Sequence, residues 1–219
     1  MAPRRSYGDG CATAHALDLI GERWALLVVR ELLLGPKRFT DLRADLPGMS
    51  PNILARRLRE LGQADITRHR RLPPPAAANL YELTERGQAL KSVIYALGRW
   101  AIHSPCMPLD APLSNDSHIL SLGILFDPAA ARDLTVRLNL WLGEQRFRIC
   151  VLDGELELAR GEADDADATV HTDAATLQAL VRNTKSLSGI LAAGQLRIDG
   201  DVSAVALLPR LFRPAIAST

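Results

Sequence analysis

Asn52, Arg56 and Arg59 recur at helical spacing within PNILARRLRELGQ, together with the small Ala55. Projected at 3.6 residues per turn, they fall on one face, while Leu54, Leu58 and Leu61 fall on the other. Asparagine can bridge N6 and N7 of adenine, and arginine O6 and N7 of guanine. A helix offering both groups, with no acid on that face, is chemically suited to lie in a DNA major groove. A solvated helix with ordinary surface arginines has the same pattern, so the neighbouring segments must decide between the two readings.

Those segments supply a scaffold. Ser50 is a good N-cap and Pro51 stands at the first helical position, where its missing N–H costs nothing. Pro47-Gly48-Met49 breaks the chain between this helix and an amphipathic run from Phe39 to Leu46, preceded by Arg38. The order predicted is helix, tight turn, helix. Downstream, the short runs Ile66–Leu72 and Asn79–Leu83 flank Pro73-Pro74-Pro75 and predict a β-hairpin with a rigid tip. Its first strand carries Arg68, His69, Arg70 and Arg71, cations that would reach phosphate or the minor groove. Upstream, Cys11–Ile20 predicts a short helix. Glu22–Leu34 predicts a second one with Trp24, Leu27, Val28 and Leu32 toward a core. Thr84 opens a long helix to about Ile102, apolar at Leu90, Val93, Ile94, Leu97 and Trp100. That face either packs on its own domain or pairs with a second copy of itself.

Composition agrees with a DNA partner for one half only. The 219 residues are 47% apolar and 23% charged, with net charge +1. Residues 1–104 hold 16 Lys and Arg against 10 Asp and Glu; residues 105–219 hold 10 against 15. With the Pro-containing stretch 104–116 between them, this asymmetry predicts two domains, 1–104 and 117–213. No apolar run has the length of a membrane span and the N-terminus lacks a signal-peptide core, so a cytoplasmic location is expected, with no membrane partner. Cys11, Cys106 and Cys150 are too scattered for a disulfide framework or a zinc site. The five histidines have no metal spacing, and no nucleophile elbow, phosphate-binding glycine loop or zinc-protease motif occurs. Asp164, Asp165 and Asp167 lack the alternating ligands of a calcium loop. Neither an enzyme nor a cofactor is expected.

The stretch from Cys11 to about residue 103 resembles the HxlR-type winged helix-turn-helix transcriptional regulators. The marks are Cys11, Ala16-Leu17-Asp18-Leu19-Ile20-Gly21, Trp24, Arg30-Glu31-Leu32, Gly35, Phe39, Leu42, Ile53-Leu54, Arg57-Leu58, Leu61, Tyr81, Leu83-Thr84 and Gly87. The resemblance implies a symmetric dimer on a palindromic operator. It directs DNA contact to Arg38, Ser50, Pro51, Asn52, Ala55, Arg56 and Arg59, and to the hairpin's Arg68, His69, Arg70 and Arg71. The tip PPPAAAN departs from the family in being long and uncharged. Some members sense oxidants through a cysteine at the place of Cys11, whose thiolate Arg4, Arg5 and Arg23 would favour. A buried structural thiol is the preferred alternative.

The second half predicts an α+β domain. A helix is expected within 118–131, and Leu134, Val136, Leu138 and Leu140 alternate with polar neighbours as in a half-buried strand. RFRICVL and ELELARG flank Asp153-Gly154, a tight hairpin signal. Ala168–Thr172 predicts a strand, Asp173 caps a helix to about Arg182, and Ser186–Ala193 is a short helix. Gln195–Asp199 is an edge strand, and Asp201–Phe212 a last apolar helix. This order resembles the sterol-carrier-protein type of lipid-binding fold. The resemblance implies an apolar cavity lined from Leu187, Ile190, Leu191, Leu196, Leu207, Leu208, Leu211 and Phe212, and a hydrophobic small-molecule effector; a filled core that only aids dimerisation is the alternative. The whole chain is therefore expected to be a dimeric DNA-binding regulator. A lipid or hydrophobic-metabolite carrier without operator specificity is the second reading.

Overall fold

Hydrophobic periodicity sets the helices of the N-terminal half. In the computed structural model, which describes residues 6–73, 78–108 and 111–212, the chain divides into two compact units, Met1–Ile94 and Tyr95–Thr219. The first contains α1 (Ala12–Ile20), α2 (Ala25–Leu32), β1 (Lys37–Arg38), α3 (Phe39–Asp45), α4 (Pro51–Gln63), β2 (Thr67–Arg71), β3 (Asn79–Leu83) and α5 (Glu85–Gln88). α6 (Leu90–Ala101) begins in it. The three strands are antiparallel in the order β1-β3-β2. Val28, Val29 and Leu32 of α2 are buried with Leu42, Leu46, Leu54, Leu58, Leu61, Ile66 and Leu83, which form the core under the helix-turn-helix.

Three sequence expectations change here. α2 starts at Ala25 rather than Glu22, because Trp24 takes a left-handed backbone with φ 78°. The buried stripe is then Ala25, Val28, Val29 and Leu32, and Leu27, expected in the core, lies off it and is exposed. The helix expected from Thr84 to Ile102 is two helices, interrupted at Ala89. Two-residue β1 was not anticipated, since it is too short to show alternation.

What holds β1 in place is ionic. Lys37 is buried, and its Nζ donates to Glu31 Oε2 at 2.8 Å and to Asp45 Oδ2 at 2.6 Å. Arg30 Nη2 donates to the other Glu31 oxygen at 2.8 Å. One ammonium therefore joins α2, β1 and the end of α3. Burial pushes the Glu31 carboxyl up, but Lys37 and Arg30 more than offset this and hold it below the usual carboxylate range.

The second unit contains α7 (Asn115–Leu125), β4 (Thr135–Leu142), β5 (Gln145–Leu152), β6 (Glu155–Arg160), β7 (Ala168–Thr172), α8 (Ala174–Val181), α9 (Leu187–Ala192), β8 (Arg197–Gly200), α10 (Val202–Ala206) and α11 (Leu208–Leu211). The strand order is β6-β5-β4-β7-β8, with only the β4–β7 pair parallel. Val136, Leu138, Leu140, Leu142, Phe147, Ile149, Val151, Leu158 and Val170 are buried with the apolar residues of α7, α8, α10 and α11. Asp153 and Gly154, at φ 49° and 81°, make the two-residue turn that the sequence signals. The single helix expected over 201–212 is split at Leu207, just before Pro209. The division between the units falls inside α6, ahead of the 104–116 stretch. From Tyr95 onward this helix packs closely on α7, where Gly98 leaves space for Ile124 and Gly123 for Tyr95. No described helix is long and apolar enough to cross a membrane.

Replacing Lys37 with Met leaves the buried Glu31 carboxylate with Arg30 but without its ammonium partner, and is expected to cost about 3–5 kcal/mol at neutral pH. Because Glu31 has a lowered folded-state pKa, its contribution is complete above the ordinary glutamate pKa of about 4.3 and is lost as pH falls through the folded value. Urea denaturation of wild type and K37M should therefore show a stability gap that is full at pH 7 and narrows as pH falls below about 4.3. A gap independent of pH would contradict the pairing.

Candidate nucleic-acid interface

Ser50 caps α4 by accepting from the Ile53 N–H at 3.4 Å, with Pro51 in the first turn. Gly48, at φ +89°, makes the preceding turn. With Leu54, Leu58 and Leu61 buried, the opposite face is set: Pro51, Asn52, Arg56 and Arg59 are exposed and Ala55 is half-buried. Arg59 Nε donates to Ala55 O of its own helix at 3.4 Å. Arg56 makes no ion pair among the described residues. Arg38 precedes α3; its backbone N–H donates to Asp41 and its side chain is exposed.

Arg57 lies between the two faces and behaves differently. It is buried, pairing through Nη2 with Glu22 Oε2 at 3.0 Å and through Nη1 with Glu60. It fastens α4 to the turn before α2. Composition counts Arg57 with its neighbours as part of a basic helix, and only the fold shows that its charge is spent internally.

The wing is the β2–β3 hairpin, and its register sorts the cations. Arg68 stands opposite Glu82, His69 opposite Tyr81, Arg70 opposite Leu80 and Arg71 opposite Asn79. Arg68 and Arg70 share one face with Arg38, which also stands opposite Leu80. Arg68 Nε is 2.7 Å from Glu82 Oε1, and Arg70 Nε is 3.1 Å from Glu82 Oε2. His69 sits edge-on to Tyr81, with ring centroids 5.2 Å apart. Arg71 has no ion pair among the described residues. The sequence expects Arg68, Arg70 and Arg71 to serve phosphate without all pointing the same way; the sharing of one carboxylate by Arg68 and Arg70 was not anticipated. The proline-rich tip falls partly outside the described residues, as do Arg4 and Arg5.

Cys11 corrects the preferred sequence reading. It is exposed, not buried, and stands at the N-cap of α1. The N–H groups of Ala14 and Thr13 and the Thr13 side chain hold its thiol below the ordinary value. In the second unit, Ile190, Leu196, Leu208, Leu211 and Phe212 are buried, Leu187 and Leu207 half-buried, and Leu191 exposed. Phe212 packs on Phe126, with ring centroids 5.9 Å apart. Leu191 therefore lines no interior cavity. An open, mostly apolar recess of about 620 Å³ lies elsewhere in this unit, beside Trp100, His103, Cys106 and Met107. No metal-holding group of His, Cys, Asp or Glu occurs among the described residues.

A capped helix behind a tight turn, flanked by an arginine-bearing hairpin, defines a winged helix-turn-helix domain. The comparisons make this specific. Residues 19–105 match the HxlR-like helix-turn-helix family, and residues 111–215 match the alkyl sulfatase C-terminal family. The HTH-type transcriptional regulator YodB of Bacillus subtilis is 40% identical over 86 residues, 39% of this chain and 77% of YodB. The uncharacterized HTH-type regulator YvaP of the same organism is 34% identical over 86 residues, 39% of this chain and 80% of YvaP. The chain belongs to the HxlR-like helix-turn-helix family of DNA-binding transcriptional regulators. The reduced form of B. subtilis YodB, a solved structure, is 37% identical and covers 46% of this chain and 98% of its own, with a TM-score of 0.40. The family that the second unit matches is that of the alkyl sulfatase C-terminal domains.

If Arg56 or Arg59 reads a base edge, its replacement by Ala should cost about 1–3 kcal/mol on cognate duplex and less on random DNA. Competition titrations on both duplexes check this. Equal losses on both would reassign the residue to phosphate.

Proposed function

We propose that this protein is a dimeric, sequence-specific transcriptional regulator of the cytoplasm, binding a palindromic operator and answering to a hydrophobic small molecule through its second domain. One observation carries the DNA reading: Asn52, Arg56 and Arg59 stand together on the exposed face of a helix whose opposite face is locked into the core. α4 supplies base contacts, while Arg38 and the wing cations supply phosphate contacts. Ser50 and Pro51, at the helix start, bring backbone and small side chains close to the duplex.

Dimerisation is supported by α6. Val93, Leu97 and Trp100 fall at i, i+4 and i+7, and all are exposed, Trp100 at 79%. A stripe of that kind suits burial against its twin. Two recognition helices would then meet half-sites about 34 Å apart, one DNA turn. The effector reading is supported by the apolar recess beside Trp100, whose size suits a small organic ligand. It is also supported by the sterol-carrier-like order of strands and helices in the second unit. A ligand there acts on DNA only if it binds the free and DNA-competent forms differently. Trp100 links the recess to the helix offered for dimerisation, so dimer geometry is the natural lever. A carrier without operator specificity, the competing reading, would leave the α4 arginines without a use.

The test is selection of duplexes from a random-sequence pool, with oligomeric state measured in parallel. A palindromic consensus bound in a salt-sensitive manner is expected. L97E is expected to sediment as a monomer and to lose most operator affinity. Recovery of no consensus would favour the carrier, and a dimeric L97E would remove α6 from the interface.

A further inference from the structure

Glu82 is out of place on a surface meant for phosphate. It lies on the same face of the wing as Arg38, Arg68 and Arg70, and an uncompensated carboxylate there repels a DNA backbone. Its geometry suggests a use. The Glu82 side chain is only 12% exposed, whereas that of Arg68 is 67% exposed. Arg68 Nε donates to Glu82 Oε1 at 2.7 Å, and Arg70 Nε lies 3.1 Å from Glu82 Oε2 as an ion pair without a hydrogen bond. An arginine held at Nε keeps its two terminal nitrogens, with four N–H donors, for another acceptor. None of those nitrogens on Arg68 or Arg70 has a hydrogen-bond partner among the described residues. The spacing follows from the sheet: Arg68 is directly opposite Glu82, and Arg70 is its diagonal neighbour two residues on, within reach of a long side chain.

We infer that Glu82 is a positioning residue of the wing, whose single carboxylate holds Arg68 by a hydrogen bond at Nε and draws in Arg70 by an ion pair, and so presents both guanidinium groups, terminal nitrogens outward, as a two-pronged clamp for backbone phosphates. The inference rests on the DNA-binding reading proposed above. It adds that two flexible arginines are ordered before DNA arrives, so that less freedom is lost on binding. Arg71, on the other face and without such a grip, contributes charge but no fixed geometry. Each clamped guanidinium is shaped to meet phosphate oxygens bidentately, which a lysine at either place cannot do.

The two accounts of Glu82 predict opposite signs. If the carboxylate were only a nearby negative charge, E82Q would bind DNA more tightly, with a steeper salt dependence. If it orders the clamp, E82Q binds more weakly, by about 3- to 10-fold, the range that two partly exposed ion pairs support. The salt slope stays unchanged or becomes shallower. R68K, which keeps the charge but lacks Nε and the fork, should lose affinity by a similar factor, and adding R68K to E82Q should cost little more.

The experiment is a fluorescence-anisotropy titration of wild type, E82Q, R68K and the double variant. The probe is a duplex selected by the wild-type protein from a random-sequence pool, titrated at several salt concentrations. Thermal midpoints of all four proteins are measured beside it. Weaker binding by E82Q and R68K, non-additive in the double variant and with unchanged midpoints, supports the clamp. Equal or tighter binding by E82Q overturns the clamp and leaves the DNA-binding reading standing. A lowered E82Q midpoint with a fully active R68K also overturns it, since the role is then structural. If the wild type selects no duplex, the DNA-binding reading fails and the clamp falls with it.

Discussion

The buried contact between Lys37 and Glu31 is the constraint on which the rest of the DNA-binding unit depends. An ammonium and a carboxylate removed from water are costly unless each is fully partnered. Lys37 meets that condition by reaching Glu31 on α2 and Asp45 at the end of α3, while Arg30 takes the second Glu31 oxygen. Few arrangements of three elements satisfy all these groups at once, so the pairing fixes where β1 must lie. Since β1 pairs with β3, the position of the wing follows from the same ammonium. Helix-turn-helix and wing are thereby referred to one point in the core.

Charge in this unit then separates by role. Arg57 is consumed by Glu22 and Glu60, and Lys37 by Glu31 and Asp45, so neither belongs to an outward-facing surface. Arg56 and Arg71 make no ion pair among the described residues, and Arg68 and Arg70 share one carboxylate. The excess of basic residues in the first half is real, but it overstates the charge on offer to a polyanion. What matters to a duplex is which guanidinium groups have unused donors and how firmly they are held.

How much of this the sequence disclosed follows from the range of each interaction. The helix-turn-helix was legible because its signals are local: leucines at helical spacing, Ser50 and Pro51 at the start of α4, a Pro-Gly break before it. The Asp153-Gly154 turn and the alternation of β4 were legible for the same reason. The left-handed Trp24 was not, because nothing local marks it; its ring reaches the α3–α4 turn, with Cη2 3.9 Å from where a Cβ on Gly48 would stand. The Arg57–Glu22 pair spans 35 residues, and the Glu82 grip depends on strand register. A buried thiol was preferred for Cys11, yet it stands exposed at the N-cap position of α1, where the first N–H groups of the helix lower its thiol pKa. The second unit's elements were legible in order from alternation, caps and turn residues, but which of Leu187, Ile190, Leu191, Leu208, Leu211 and Phe212 are buried is a property of packing that element order does not carry.

The central claim is that α4 lies in a major groove and reads base edges there. Guanine N7 faces that groove, so its methylation by dimethyl sulfate reports occupancy directly. On a selected duplex, the wild-type protein should protect guanines in two clusters about 10 base pairs apart, centre to centre. The R56A variant, at saturating concentration, should lose protection within each cluster while the rest of the footprint persists. Full N7 accessibility beneath an otherwise intact backbone footprint would contradict the account, because the protein would then hold the duplex without α4 entering the groove.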